Sequence, residues 1–150
     1  MRRAIVAIFS ALMACASLAR ANDLAEDIIV HARNSCEMGK GAAFSLSANA
    51  ITRIDVTGDG ATETLIDSCG FVCTGAASTY GGSAGCPLTI VKGEKSWRYF
   101  KQAWTVEDWL DKPIILLWLH GTSCGGAGVD PCALALVWNG HDFVSVLDKQ

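Results

Sequence analysis

Six cysteines, Cys36, Cys69, Cys73, Cys86, Cys124 and Cys132, are spread through the chain beyond its first thirty residues, and a seventh, Cys15, sits in an apolar N-terminal run. An even set of this kind constrains the fold more than any propensity does, because each bridge ties distant segments together. In an oxidising compartment the six read as three disulfides. Spacing alone does not pair them, but loop lengths suggest an assignment. Cys124 with Cys132 closes a short loop rich in glycine and containing a proline. Cys73 with Cys86 closes a long one, leaving Cys36 to tie an N-terminal helix to Cys69. Structural zinc is the competing reading. It calls for close Cys/His pairs, and the nearest cysteines, Cys69 and Cys73, have no histidine beside them.

The N-terminus agrees with export. Arg2 and Arg3 precede an almost unbroken apolar run, Ala4 to Ala14, which at 11 residues is too short to span a bilayer as a helix. Ala19-Arg20-Ala21 is an A-x-A processing site, so 1–21 reads as a signal peptide and 22–150 as one secreted or periplasmic domain. The alternative is a lipoprotein box at Leu12-Met13-Ala14-Cys15, which would place a lipid anchor on Cys15. Removing Arg2, Arg3 and Arg20 leaves 9 basic against 15 acidic residues, a net charge of −6. That balance argues against nucleic acid or an anionic membrane as partner. No transmembrane run remains after the leader.

Asp23 to His31 places apolar residues at helical spacing, with Asn22 or Asp23 as cap, and the helix is expected to end before Gly39. From Phe44 the pattern turns to strands. Leu88–Lys92 and Trp97–Phe100 flank a turn at Gly93, and Ala133–Trp138 and Phe143–Leu147 flank Asn139-Gly140, a strong hairpin signal. Ile114–Leu119 is apolar at every position, as in a strand buried on both faces. Ser68–Gly85 reads as a long loop held by its cysteines, and Trp104–Lys112 is ambiguous between helix and loop. The class is mainly β (α+β): an N-terminal helix, then a disulfide-stapled antiparallel meander.

Between the strand ending at Ile54 and the strand leaving at Thr64, the residues Asp55, Thr57, Asp59 and Glu63 fall at relative positions 1, 3, 5 and 9, with Gly60 at 6. Hard oxygen donors around a glycine turn are what Ca²⁺ requires. Asp55-Val-Thr-Gly-Asp-Gly-Ala-Thr-Glu63 resembles the calcium loops of FG-GAP and VCBS-type repeats, with a threonine at position 3 and a glutamate at position 9 as departures. The resemblance covers 51–67 only. It implies a hairpin whose ion is held by Asp55, Thr57, Asp59, Glu63 and the carbonyl of Ala61, with Ca²⁺ as cofactor. A plain Gly-Asp-Gly turn without an ion is the alternative.

Two further patterns invite chemistry. Gly81-Gly-Ser83-Ala-Gly85 matches the G-x-S-x-G nucleophile elbow, and Asp108, Asp111 or Asp130 with His120 or His141 could supply the rest of a triad. The elbow needs a strand before it and a helix after it, whereas here a Gly/Ser loop precedes it and Cys86-Pro87 follows. His120 to Gly128 is glycine-rich but has no lysine to complete a phosphate cradle, so His120 reads as a hydrogen-bonded strand end. All five tryptophans lie between 97 and 138. Trp118 and Trp138, in apolar strands, are expected in the core. Trp97, Trp104 and Trp109, beside charges, are expected at a surface able to take a protein or glycan. The function expected is a non-enzymatic binding or inhibitory module with a calcium loop, the alternative being a small secreted hydrolase using Ser83.

Overall fold

The computed structural model describes residues 24–76 and 78–145. The leader at 1–21 and the lipid reading of Cys15 lie outside them. The helix α1 spans 24–37, and Ala25, Ile29, Ala32 and Cys36, spaced four, three and four apart, form its buried stripe. Ten strands follow: β1 (Phe44–Leu46), β2 (Ile51–Ile54), β3 (Glu63–Asp67), β4 (Phe71–Cys73), β5 (Cys86–Lys92), β6 (Lys95–Lys101), β7 (Ala103–Trp109), β8 (Lys112–Leu119), β9 (Cys132–Trp138) and β10 (Phe143–Ser145). Every pairing is antiparallel. The protein is mainly β with one N-terminal helix, as its sequence indicates.

The strands form a first sheet ordered β2-β3-β5-β6, a second ordered β7-β8-β9-β10, and a small β1-β4 ribbon. A single residue, Gln102, separates β6 from β7, and its N–H donates to Trp118 O at 2.7 Å. At that point the chain passes from one sheet to the other, and their inner faces close on each other. Leu65, Leu88, Ile90, Ile115 and Leu117, all without exposed surface, form the core between them. Each such side chain contributes roughly 1.5–3 kcal/mol by leaving water. The outer face of the first sheet is covered too: α1 lays Ala25, Ile29 and Ala32 on Ile66, Val91 and Phe71. The molecule is thus layered helix, sheet, sheet.

Several expectations need correction. Cys124 bridges Cys132 as expected, but Cys36 joins Cys73, and Cys69 joins Cys86. The reason is register. β3 pairs with β5 so that Asp67 faces Leu88, which brings Cys69 opposite Cys86 two residues further on, with their Cα atoms 5.4 Å apart. Cys36, at the end of the helix, is left beside the ribbon that carries Cys73. Trp104–Lys112 is a strand and hairpin turn, with Leu110 and Asp111 both at positive φ (51° and 60°). Trp118 is not in the core: it faces outward and is 38% exposed. Trp97 and Trp104 point inward instead. Trp97 packs edge-on against Trp138 and Phe143, and Trp104 packs on the core cluster. Trp109 is exposed as expected, at 66%.

Candidate functional site

Alternation along β3 puts Glu63, Leu65 and Asp67 on the inward face, with a carboxylate at each end of a buried leucine. The partner strands place a lysine against each. Lys92 closes β5 at the Glu63 end, and Lys101 closes β6 at the Asp67 end.

At the Glu63 end lies the 55–63 loop. Asp55 is its internal brace: Oδ1 accepts from the N–H groups of Thr57 (3.1 Å) and Gly58 (2.6 Å), and Oδ2 from that of Gly60 (2.8 Å). Gly58 and Gly60 take φ of 74° and 85°, which side chains resist. Glu63, 2% exposed, accepts from Val56 N–H through Oε2 (3.0 Å). The remaining oxygens converge on one cation, the Lys92 ammonium, which donates to Glu63 Oε1 (2.6 Å), Asp59 Oδ2 (2.7 Å) and Thr57 Oγ1 (3.1 Å). Ala61 enters through its N–H, which donates to Asp59 Oδ1 (3.0 Å). Of the five positions read as calcium ligands, three therefore surround an internal ammonium, and both oxygens of Asp55 are spent on N–H groups. A Ca²⁺ ion needs six to eight oxygens at ~2.3–2.6 Å. In this arrangement the donors do not fit one unless Lys92 withdraws.

The electrostatics follow. Burial pushes the Asp55 carboxyl upward, but the N–H groups of Gly60, Gly58 and Thr57 outweigh it and hold its pKa below the ordinary 3.8. Asp59 is lowered first by its hydrogen bond to Lys92 and then by that from Ala61. For Lys92, burial pulls the pKa down, yet Asp59 and Glu63 together carry it above 10.5.

At the Asp67 end the surroundings differ. Lys101 is 1% exposed, and its Nζ lies 2.6 Å from Asp67 Oδ1, 3.3 Å from Cys86 Sγ and 3.5 Å from Cys69 Sγ. Asp67 is further held by Trp104 Nε1–H on Oδ2 (2.8 Å) and Cys69 N–H on Oδ1 (2.9 Å). Its own carboxylate thereby caps the short 3₁₀ turn Ser68–Gly70. A cleft of ≈ 450 Å³ opens here, lined by Asp67, Cys69, Lys101, Gln102 and Trp104 among others. Asp67, Cys69 and Cys86 offer ligand atoms within 4.8 Å of one another, but the two cysteines share a disulfide and so present no thiolate to a metal. Sequence reading passed over this end. A lone Asp67 and a lone Lys101, 34 residues apart, carry no motif, and only the β3-β5-β6 register joins them.

The other sequence candidates are not brought together. Ser83 lies in an exposed turn closed by Gly82 and Gly85 and followed by a strand, not a helix. His120 Nδ1 is 2.8 Å from Thr122 Oγ1 at the end of β8. His141 sits in the β9–β10 turn, and Asp108, Asp111 and Asp130 are exposed on other loops and edges. A groove of ≈ 600 Å³ beside α1 is lined by His31, Phe71, Tyr80 and Arg98 among others, where Tyr80 Oη donates to Ala32 O at 2.6 Å.

One surface remains. In the second sheet Trp104, Val106, Ile115, Leu117, Leu134 and Leu136 face the core, so the alternate positions face outward. Those are Lys112, Ile114, Leu116 and Trp118 on β8, flanked by Ala103, Thr105 and Glu107 on β7 and by Ala133, Ala135 and Val137 on β9, with Val144 beside Val137 on β10. Trp118 and Val137 are each 38% exposed. Among the described residues no element covers this face. The β7–β8 hairpin extends it to a tip where Trp109 and Leu110 (84% exposed) stand among Glu107, Asp108 and Asp111. Three disulfides fit an oxidising compartment, and among the described residues no helix is long and apolar enough to cross a membrane. Compared with known protein families, with characterised proteins and with solved structures, the chain matches none of them.

Proposed function

We propose that this is an exported, non-enzymatic binding module that docks a protein segment on the outer face of its second sheet. The observation that carries the reading is the apolar, uncovered face around Trp118. A strand such as β8, apolar at every position from Ile114 to Leu119, belongs in a sheet covered on both sides. Here one side meets the core, and among the described residues no element covers the other, where Trp118 is exposed and Ile114 and Leu116 are half-buried. A contiguous apolar patch of this kind marks an interaction surface. The partner is protein rather than glycan, because β8 and β9 offer aliphatic groups and one indole across the middle of the face, and its polar side chains, Thr105, Glu107 and Lys112, are confined to the β7 edge and the hairpin end. It is expected to carry an apolar stripe bordered by lysine or arginine, to match Glu107, Asp108 and Asp111 at the rim. The hairpin tip supports this. Leu110 and Asp111 take left-handed backbone conformations that favour glycine or asparagine, and such strain is kept where it presents something useful. In this reading the cation of the 55–63 loop is the chain's own Lys92 and not Ca²⁺, and the loop is a structural closure. Hydrolysis by Ser83 gains no support from its surroundings.

The test is titration of the protein with an amphipathic Leu/Lys peptide and with its Leu/Glu counterpart, followed by tryptophan fluorescence. The Leu/Lys peptide is expected to bind, and the double variant Trp118→Ser, Val137→Ser to weaken it at least tenfold while melting within ~0.5 kcal/mol of wild type, as surface changes do. Equal binding of both peptides, or binding indifferent to the double variant, would overturn the reading. Self-association abolished by Trp118→Ser would assign the face to a second copy instead.

A further inference from the structure

We infer that Cys69–Cys86 is a thiol–disulfide exchange site, with Lys101 stabilising the leaving thiolate and a small or protein thiol as its reaction partner. The two sulfurs are unequally placed. Cys69 is exposed and lines the open cleft, whereas Cys86 has no exposed surface. An incoming thiolate therefore reaches Cys69 Sγ. As its bond to Cys69 forms, the Cys69–Cys86 bond breaks and its electron pair leaves with Cys86, as a thiolate 3.3 Å from the Lys101 ammonium. A second thiolate then attacks the outer sulfur of the mixed disulfide, the one contributed by the first thiol, releasing an oxidised disulfide and leaving Cys69 as a thiolate 3.5 Å from the same ammonium. Two equivalents of thiol are oxidised, the bridge takes up two electrons, and the protons of the two thiols pass to the protein sulfurs or to water. Exchange is faster when the leaving thiolate is stabilised, and a neighbouring lysine does that.

The other two bridges lack this arrangement. Cys36 and Cys73 are both buried, at 4% and 6% exposure, so no sulfur is offered to attack. Cys124–Cys132 is accessible in its glycine loop, but among the described residues no lysine ammonium is hydrogen-bonded to its sulfurs. The Lys101 cluster is also held firmly. Asp67 keeps the ammonium beside the sulfurs, and Gly85 passes so close to Lys101 that a Cβ there would lie 2.2 Å from its carbonyl oxygen. The cleft is continuous with the proposed docking face, since Ala103 lines it and pairs with Trp118. A thiol on a docked protein would arrive beside Cys69.

The experiment is timed reduction of the folded protein with glutathione under native conditions, acid quench, alkylation and peptide mass mapping. Cys69–Cys86 is expected to open at least tenfold faster than either other bridge, with the glutathione adduct on Cys69. Lys101→Met should slow that opening tenfold or more, and Lys101→Arg, which keeps the charge, should restore much of it. Should Lys101→Met fail to fold, the order of opening and the position of the adduct in the wild-type protein still decide. Simultaneous loss of all three bridges, earlier opening of Cys124–Cys132, or an adduct on Cys86 would overturn the inference.

Discussion

Glu63 and Asp67 begin and end the same strand on the same face, and each meets a lysine at 2.6 Å, yet the two ends of the sandwich behave as different devices. At the Glu63 end the lysine is a quarter exposed and gathers three side-chain oxygens of a glycine-bent loop. At the Asp67 end the lysine is buried and faces one carboxylate and two sulfurs. An ammonium a quarter exposed among three loop oxygens closes a loop. The same group sealed beside one carboxylate and a disulfide is a fixed charge beside a reactive bond. What surrounds the pair, not the pair itself, sets its role.

The sharpest way to break the comparison is to remove each lysine and compare melting. Lys101→Met is expected to cost about 3 kcal/mol, the lower end of the ~3–5 kcal/mol for stranding one partner of a buried pair. Trp104 Nε1–H and Cys69 N–H still hold Asp67, which keeps the loss from being larger. Adding Asp67→Asn should recover part of it, because the stranded charge is then gone. Unfolding in denaturant measures both; equal stability of the single and double variants would show that the two groups do not act as a pair.

Lys92→Met should destabilise less, by roughly 1 kcal/mol, since its ammonium and Asp59 are both partly in water and the buried Glu63 keeps Val56 N–H and Thr57 Oγ1–H as donors. It should also change what the loop binds. With the ammonium gone, Asp59, Glu63 and Thr57 present their oxygens to a vacant point, so the variant is expected to gain stability in Ca²⁺ and the wild type is not. For a dissociation constant near ~1 mM, ten times that concentration contributes about 1.4 kcal/mol. Thermal unfolding of both proteins in chelator and in Ca²⁺ reads this directly. A calcium shift in the wild type as large as in the variant would return the loop to the metal reading.

The smallest effect is with pH. Asp55 and Asp59 have folded-state pKa values below 3.8, so the stability they bring is present above that value and is lost as pH falls through the lowered ones. Lys92 is raised above 10.5, so its share is complete below that value and is lost as pH rises through the raised one. The wild type should therefore be flat between and fall at both extremes. Lys92→Met should lose the alkaline fall and soften the acid one. An alkaline fall unchanged in the variant would mean that another group causes it.

The hairpins were legible in the sequence because their signals are local. Asn139-Gly140 supplies the turn between β9 and β10, and the Asp55–Glu63 loop supplies one between β2 and β3, with Ile54 facing Glu63. The N-terminal helix was legible from its apolar spacing. The disulfide partners were read correctly only where the loop was short, at Cys124–Cys132. Tryptophan burial was misjudged where neighbours in sequence stood in for neighbours in space. Trp97 and Trp104 lie beside charges along the chain, but alternation turns them inward, and it turns Trp118 outward from an apolar strand.

Sequence by itself determined the class, the cysteine chemistry, the hairpin turns and the gathering of Asp55, Thr57, Asp59 and Glu63, all of which depend on residues within one turn or one period of each other. Tertiary structure alone placed the Lys92 ammonium among those residues, because Lys92 reaches them from a strand 29 residues beyond Glu63. It also decided that Lys101 lies against Cys69 and Cys86, and that one sheet is covered by a helix while no described element covers the other. Those outcomes rest on strand order and register, which bring residues together across distances that no local pattern encodes.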